Sequence, residues 1–230
     1  MGIAERYQQV AAEVANAARR AGRAPEDVCL VAVSKTVGPE GVAEALAGGA
    51  RDFGENRPDQ IVPKSEQFPE ARWHFIGNIQ SRRIPEIVAS AGLIHSLYQL
   101  RHAEKIDRAA AALDKVQDVL VEVNVSGEES KSGVAPEEAA ELVRAVAALP
   151  HVRVCGLMTM APAGDMETAR ASFAGLAELA DGIRAQLSAA AAAAFTELSM
   201  GMSDDWREAI PCGATIVRVG RAIFSDSYHE

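Results

Sequence analysis

Apolar positions along the chain alternate between two periodicities. Ile3, Tyr7, Val10, Val14 and Ala17 recur at spacings of three and four, which predicts an amphipathic helix over residues 3–21. After Gly22 and Pro25, the run from Val28 to Ser34 is continuously apolar and of strand length, as in a strand covered on both faces of a parallel sheet. The pattern then repeats. Pro39 suits a first helical position and Gly48-Gly49 a helix end. Further strands are predicted at 52–56, 73–77, 93–97, 118–125, 152–159, 195–199 and 215–219. Helices are predicted at about 80–90, 99–112, from Pro136, at 166–190 and at 203–210, and residues 58–67 read as a polar segment. The run Ala189–Ala194 reads as a helix end, alanine being the best helix former.

Strict alternation of strand and helix implies a parallel sheet with right-handed crossovers. Eight such units imply a closed barrel rather than an open sheet. An open doubly wound sheet usually carries a Gly-rich turn after its first strand, where this chain reads Ser34-Lys-Thr-Val-Gly-Pro39. The helix before the first strand is placed to close the ring. The 230 residues fit one (β/α)8 barrel, which takes about 200–250, so residues 1–230 are expected to form a single domain.

Composition narrows the function. Hydrophobic residues at 48% and charged residues at 24% are ordinary for a globular protein. A net charge of −9 argues against non-specific nucleic-acid binding and against an anionic membrane surface. No apolar run reaches the ~20 residues of a membrane span, and the N-terminus lacks the apolar segment of a secretory signal. A cytoplasmic location is expected. Cys29, Cys155 and Cys212 are odd in number and widely spaced, so no disulfide framework or zinc site is expected. Cys29 and Cys155 sit in apolar runs and read as buried, inert thiols. The histidines show no metal-ligand spacing.

Function in a barrel gathers at the C-terminal strand ends. Those positions hold Lys35, Glu55, Asn56, Asn78, Asn124, Met158, Ser199 to Ser203, and Gly220-Arg221. Lys35 directly follows a buried strand, where a lysine either snorkels to solvent or serves as a Schiff-base amine. The segments Leu198–Asp205 and Val217–Phe224 stand where this architecture often cradles phosphate. Gly201 and Gly220 would admit backbone N–H groups, Ser199 a hydroxyl and Arg221 a charge, and a helix from Ser203 would add its positive end. Two ordinary loops with Ser203 as a helix cap are the plainer reading. Arg218 lies inside a strand and needs a partner, either an ion pair or a cofactor ring nitrogen. Lysine, ring-nitrogen partner and phosphate cradle together are what pyridoxal phosphate requires. A cation at the ring nitrogen would keep it unprotonated and weaken it as an electron sink. His74, between Trp73 and Phe75, reads by default as a core histidine. Trp206 and the pairs Met158/Met160 and Met200/Met202 read first as packing. The charged loop 128–133 reads as solvated and bordering the site.

Eight segments carry a resemblance: LVAVSK at 30–35, FGEN at 53–56, WHFIGNIQ at 73–80, HSL at 95–97, VNVSGEESKSG at 123–133, GLMTMAP at 156–162, LSMGMSDD at 198–205 and VRVGRAIF at 217–224. Across nearly its whole length the chain resembles the pyridoxal phosphate homeostasis proteins, also called YggS-like or PROSC-like. The resemblance implies a (β/α)8 TIM barrel of the alanine racemase N-terminal domain type, without the racemase's second domain. It implies pyridoxal 5′-phosphate held as an aldimine on Lys35, with Arg218 at the pyridine nitrogen and Asn56 and His74 near the ring. Ser199, Gly201, Gly220 and Arg221 would surround the phosphate, and Met158 and Met200 complete the implied cofactor-binding set. It implies a monomeric carrier or regulator of the cofactor pool, without catalytic turnover and without metal, serving pyridoxal phosphate-dependent apo-enzymes. Three departures stand out: RPDQ at 57–60, Arg82-Arg83 in place of an Asn-Lys pair, and Ser225 in place of a glycine. The alternative is an amino-acid racemase on the same cofactor, which needs acid/base groups on both faces of the ring. Tyr7, Tyr98 and Tyr228 have no evident placement for that, although Tyr98 follows a strand end. A phosphate-ester-binding barrel with no aldimine is a third reading.

Overall fold

In a computed structural model that describes residues 1–128, 131–162 and 164–228, the eight strands close into one parallel barrel in sequence order. They are β1 (Cys29–Val33), β2 (Asp52–Glu55), β3 (Arg72–Phe75), β4 (Leu93–Leu97), β5 (Gln117–Glu122), β6 (Val152–Met158), β7 (Glu197–Met202) and β8 (Ile216–Val219). The ring closes where β8 pairs with β1, Arg218 standing opposite Val31 and Val219 opposite Ala32. Helix α1 (Ile3–Arg20) precedes the barrel and packs on α2 (Pro39–Ala47) and on the last helix, α10 (Arg221–Phe224). It covers the closing seam, as expected, and Arg6 Nε donates to the Ile223 carbonyl at 2.7 Å.

Three elements differ from the sequence reading. Residues 58–67 are not an open polar segment but helix α3 (Pro58–Gln67), with Pro63 inside it. Proline costs an interior helical hydrogen bond and masks the period. Burial of Ile61 and Lys64 holds the helix nonetheless. The predicted helix 166–190 is two helices, α7 (Met166–Arg184) and α8 (Ala189–Ala194). Ser188 starts the second by accepting the Ala191 N–H at 3.3 Å, a role that serine fills well. Strand β7 runs on to Met202, and α9 (Trp206–Ala209) starts three residues after Ser203. Helices α4 (Ile84–Ser90), α5 (Leu100–Ala111) and α6 (Pro136–Ala147) fall where predicted.

The core has two parts. Between barrel and helices lie Phe53, Phe75, Ile94, Phe173, Phe195 and Trp206, all wholly buried. Each such side chain stabilises the fold by about 1.5–3 kcal/mol relative to exposure. Inside the barrel a smaller cluster holds Val31, Val33, Leu93, Leu120, Met158 and Ile216. Alternation along β1 explains the split, since Leu30 and Ala32 join the outer core and Val31 and Val33 the inner one. Cys29 and Cys155 are half-buried against the inner cluster rather than fully enclosed. No helix among the described residues is long and apolar enough to cross a membrane. Among them, no group of His, Cys, Asp and Glu is placed to hold a metal ion.

Candidate functional site

Beyond β1 the chain turns at once. Ser34 N–H donates to the Gly54 carbonyl at 3.0 Å, and Val37 N–H to the Ser34 carbonyl at 3.1 Å. Lys35 and Thr36 are exposed at the tip of this turn. A second lysine holds it from beneath. Lys64 Nζ donates to Ser34 O (3.0 Å), Val37 O (2.9 Å) and Glu55 Oε1 (2.5 Å). Ser34 Oγ donates to the same carboxylate oxygen at 2.7 Å. The three ammonium hydrogens of Lys64 are thereby used, so its role is structural. Lys35 has no hydrogen bond or ion pair among the described residues and remains available for chemistry.

Arg218, inside the barrel on the strand next to β1, is buried. Its Nη1 donates to Ser199 Oγ at 2.5 Å and its Nη2 to the Thr159 carbonyl at 3.0 Å. Burial lowers its pKa to about 10, against the opposite pull of Asp205 and Glu122, so it stays a cation at neutral pH. From Ser199 the polar contacts continue. His95 Nδ1 lies 2.8 Å from Ser199 Oγ, His95 Nε2 lies 2.9 Å from His74 Nδ1, and His74 Nε2 lies 2.9 Å from Asp52 Oδ1. Strands β4 and β7 are not neighbours, so the His95–Ser199 contact crosses the barrel interior. Burial lowers the pKa of both histidines, against the upward pull of Asp52 on His74, and the charge of Arg218 adds to the effect at His95. Both rings are therefore neutral.

The loops after β7 and β8 meet as expected, through different atoms. Gly220 N–H donates to Ser203 Oγ at 3.2 Å. Ser199 instead lies within β7, wholly buried, with its hydroxyl between His95 and Arg218. Arg221 pairs with Asp204 and lies over the Tyr228 ring, whose hydroxyl donates to the Ser203 carbonyl at 3.0 Å. The residue before α9 is Asp205, which accepts the Met202 N–H at 2.5 Å and whose pKa burial raises. Gly201 has φ +92°, and a Cβ there would stand 2.8 Å from Trp206 Cα, so close packing of α9 requires glycine.

The remaining candidates are spread around the barrel. Met158 joins the inner cluster, whereas the Met200 side chain is buried in the outer core. Asn56 is half-buried just past β2, and Gly77 lets β3 approach it, since a Cβ there would fall 1.9 Å from the Asn56 carbonyl oxygen. Tyr98 donates to Asn78 Oδ1 at 3.4 Å across the ends of β3 and β4. Asn124 ties its own loop by donating to the Glu128 carbonyl at 2.9 Å, while Glu129 and Ser130 lie outside the described residues. The departures at Arg57 and Arg83 form surface pairs with Asp59 and Glu86. A surface cavity of about 600 Å³ lined by Val62, Trp73 and Glu86 shares no residue with the mouth. The sequence reading missed Asp52, Lys64, His95, Glu122 and Thr159.

The alanine racemase N-terminal domain family matches residues 7–228. A closed parallel eight-stranded barrel with helices between its strands is the architecture of that class. The chain is 40% identical to the pyridoxal phosphate homeostasis protein of Aquifex aeolicus, covering 98% of this chain and 99% of that one. A crystal structure of an unknown protein from Bifidobacterium adolescentis superposes with a TM-score of 0.90 at 34% identity, covering 96% and 94% of the two chains. PipY of Synechococcus elongatus, with PLP bound, gives a TM-score of 0.81 at 32% identity, covering 97% and 100%. The chain belongs to the family of pyridoxal phosphate homeostasis proteins.

Proposed function

We propose that the protein binds pyridoxal 5′-phosphate in the C-terminal mouth of the barrel and holds it for storage or delivery to apo-enzymes, without turning it over. The observation that carries this reading is an exposed Lys35, without a partner among the described residues, just past β1, together with a buried cation, Arg218, on the adjacent strand β8. When bound, the cofactor supplies an aldehyde, which condenses with the Lys35 amine to a C=N bond and one released water. Arg218 offers N–H donors to an unprotonated ring nitrogen. A cation there opposes protonation of that nitrogen, which favours holding over carbanion chemistry. The Ser203–Gly220 contact brings together the two loops that would receive the phosphate. Asn56 borders the same mouth, and His74 acts from behind, through His95 and Ser199. The bound PLP of PipY and the names of the relatives support the same reading. Exposed large apolar side chains are few and mostly apart among the described residues, which supports a monomer, and we place it in the cytoplasm with the enzymes it would serve.

The test is the visible spectrum of the protein with added pyridoxal phosphate, wild type beside Lys35→Ala, followed by borohydride reduction and intact mass. The expected result is a visible band and one trapped cofactor mass in the wild type, both lost in the variant. No band and no adduct would leave a phosphate-ester-binding barrel. D-amino acid appearing from an L-amino acid would replace the carrier by a racemase.

A further inference from the structure

Five side chains from β2, β3, β4, β7 and β8 form one hydrogen-bonded series through the barrel: Asp52, His74, His95, Ser199 and Arg218. Its donors are ordered by elimination. Arg218 can only donate, so Ser199 Oγ accepts from it. Asp52 is ionised: burial raises its pKa, but the hydrogen bond from His74, the charge of Arg72 and a hydrogen bond from Cys29 lower it. Asp52 therefore only accepts, and His74 Nε2 carries the hydrogen. A neutral His74 then has a bare Nδ1, which must accept from His95 Nε2–H. His95 Nδ1 is bare in turn and accepts the Ser199 hydroxyl. Both rings are Nε2–H tautomers, and every donor points from the guanidinium toward the carboxylate. Arg72 and Glu197 stand near the Asp52 end, and Asp205 and Glu122 near the Arg218 end.

We propose that this series is a positioning relay, in which Asp52 at the N-terminal end of the barrel fixes, through His74, His95 and Ser199, how Arg218 is presented to a ligand in the opposite mouth. Asp52 is the first residue of β2, whereas Arg218 also bonds Thr159, just past the C-terminal end of β6. The relay thus spans the height of the barrel, where alternate strands of such barrels ordinarily contribute packed branched side chains. Its effect on binding rests on the pyridoxal phosphate reading, whereas its donor order does not.

The experiment has two readouts. Long-range proton–nitrogen correlation spectra of the histidine side chains report tautomers in the ligand-free protein, with His95→Gln used for assignment. Equilibrium dialysis reports pyridoxal phosphate affinity. In the wild type, His74 and His95 are expected as Nε2–H tautomers that do not titrate across the neutral range. Asp52→Asn, whose amide can donate or accept, is expected to mix those tautomers and weaken binding about 3- to 10-fold, the equivalent of one lost hydrogen bond. His95→Gln, which can still accept from Ser199 and donate to His74, is expected to bind more tightly than His95→Leu at matched unfolding midpoints. If His95→Leu does not fold, Asp52→Asn and His95→Gln carry the comparison. A protonated or Nδ1–H His95 in the wild type overturns the relay. Unchanged affinity in Asp52→Asn with mixed tautomers overturns its coupling to the mouth. Ordered tautomers in a wild type that binds no pyridoxal phosphate overturn the function reading, and the positioning role with it.

Discussion

The buried ammonium of Lys64 donates to the main-chain carbonyl of Ser34 at 3.0 Å, one residue before Lys35. One lysine thus builds the turn that presents another. Glu55, the partner of Lys64, is wholly buried, and its Oε2 has no hydrogen-bond partner among the described residues. Lys64→Met leaves that carboxylate uncompensated and is expected to destabilise the protein by about 3–5 kcal/mol in urea unfolding. Lys64→Met with Glu55→Leu removes both charges and is expected to recover most of the loss. No recovery in the double variant would mean that the turn itself, rather than the stranded charge, dominates.

Two glycines in the candidate phosphate loops differ sharply in what they require. Gly201→Ala meets both a φ of +92° and the Trp206 backbone, and is expected to cost about 1–3 kcal/mol or more. Gly220 has φ −115°, and its added Cβ would lie 3.2 Å from the Val33 carbonyl oxygen. Gly220→Ala is expected to cost less than Gly201→Ala in thermal unfolding, and the reverse order would refute this account of the two loops.

Glu122, buried at the end of β5, has its pKa raised from 4.5 to about 7 by burial, with Arg218 opposing. Between those two values the folded protein holds a proton that the unfolded chain has released. Stability contributed by the protonated carboxyl is therefore full below pH 4.5 and lost as pH rises through about 7. Glu122→Gln is expected to flatten that slope and to gain about 2–3 kcal/mol near pH 8. Parallel stability–pH curves for the two proteins would contradict it.

Burial pushes the Cys29 thiol up to about 12, with Asp52 adding to the effect, and the Cys155 thiol up to about 11. Only thiolate reacts, so both are expected to label with iodoacetamide at neutral pH at least about a hundredfold more slowly than a free cysteine. Mass spectrometry of a labelling time course separates them from Cys212, where burial raises the pKa less.

Much of this was legible beforehand. The barrel follows from apolar runs alternating with periodic helices, and Lys35 stands out because it ends the first such run. Helix α3 was hidden because Pro58 and Pro63 break the helical signature. The sequence pattern ends the seventh strand at Ser199 and so points its hydroxyl at the phosphate loops. The strand instead continues through a register shift to Met202, which leaves the hydroxyl inside. His95 shares a strand face with Leu93 of the inner core, a placement that shows only once the structure puts Leu93 inside the barrel. Its partners were out of reach of any spacing rule, because the contact from β4 to β7 depends on closure of the ring.

That closure also sets when the mouth can exist. Lys35 follows the first strand and Arg218 lies on the last, and those two strands come together only when β8 pairs with β1. This is the pairing of greatest sequence separation in the barrel, the kind that loop-closure entropy makes slow. A chain still emerging from the ribosome presents Lys35 as an ordinary surface amine until its final strand has been made. On the proposed function, capture of an aldehyde by this lysine would be a property of the finished molecule, and would certify chemically that synthesis and folding are complete.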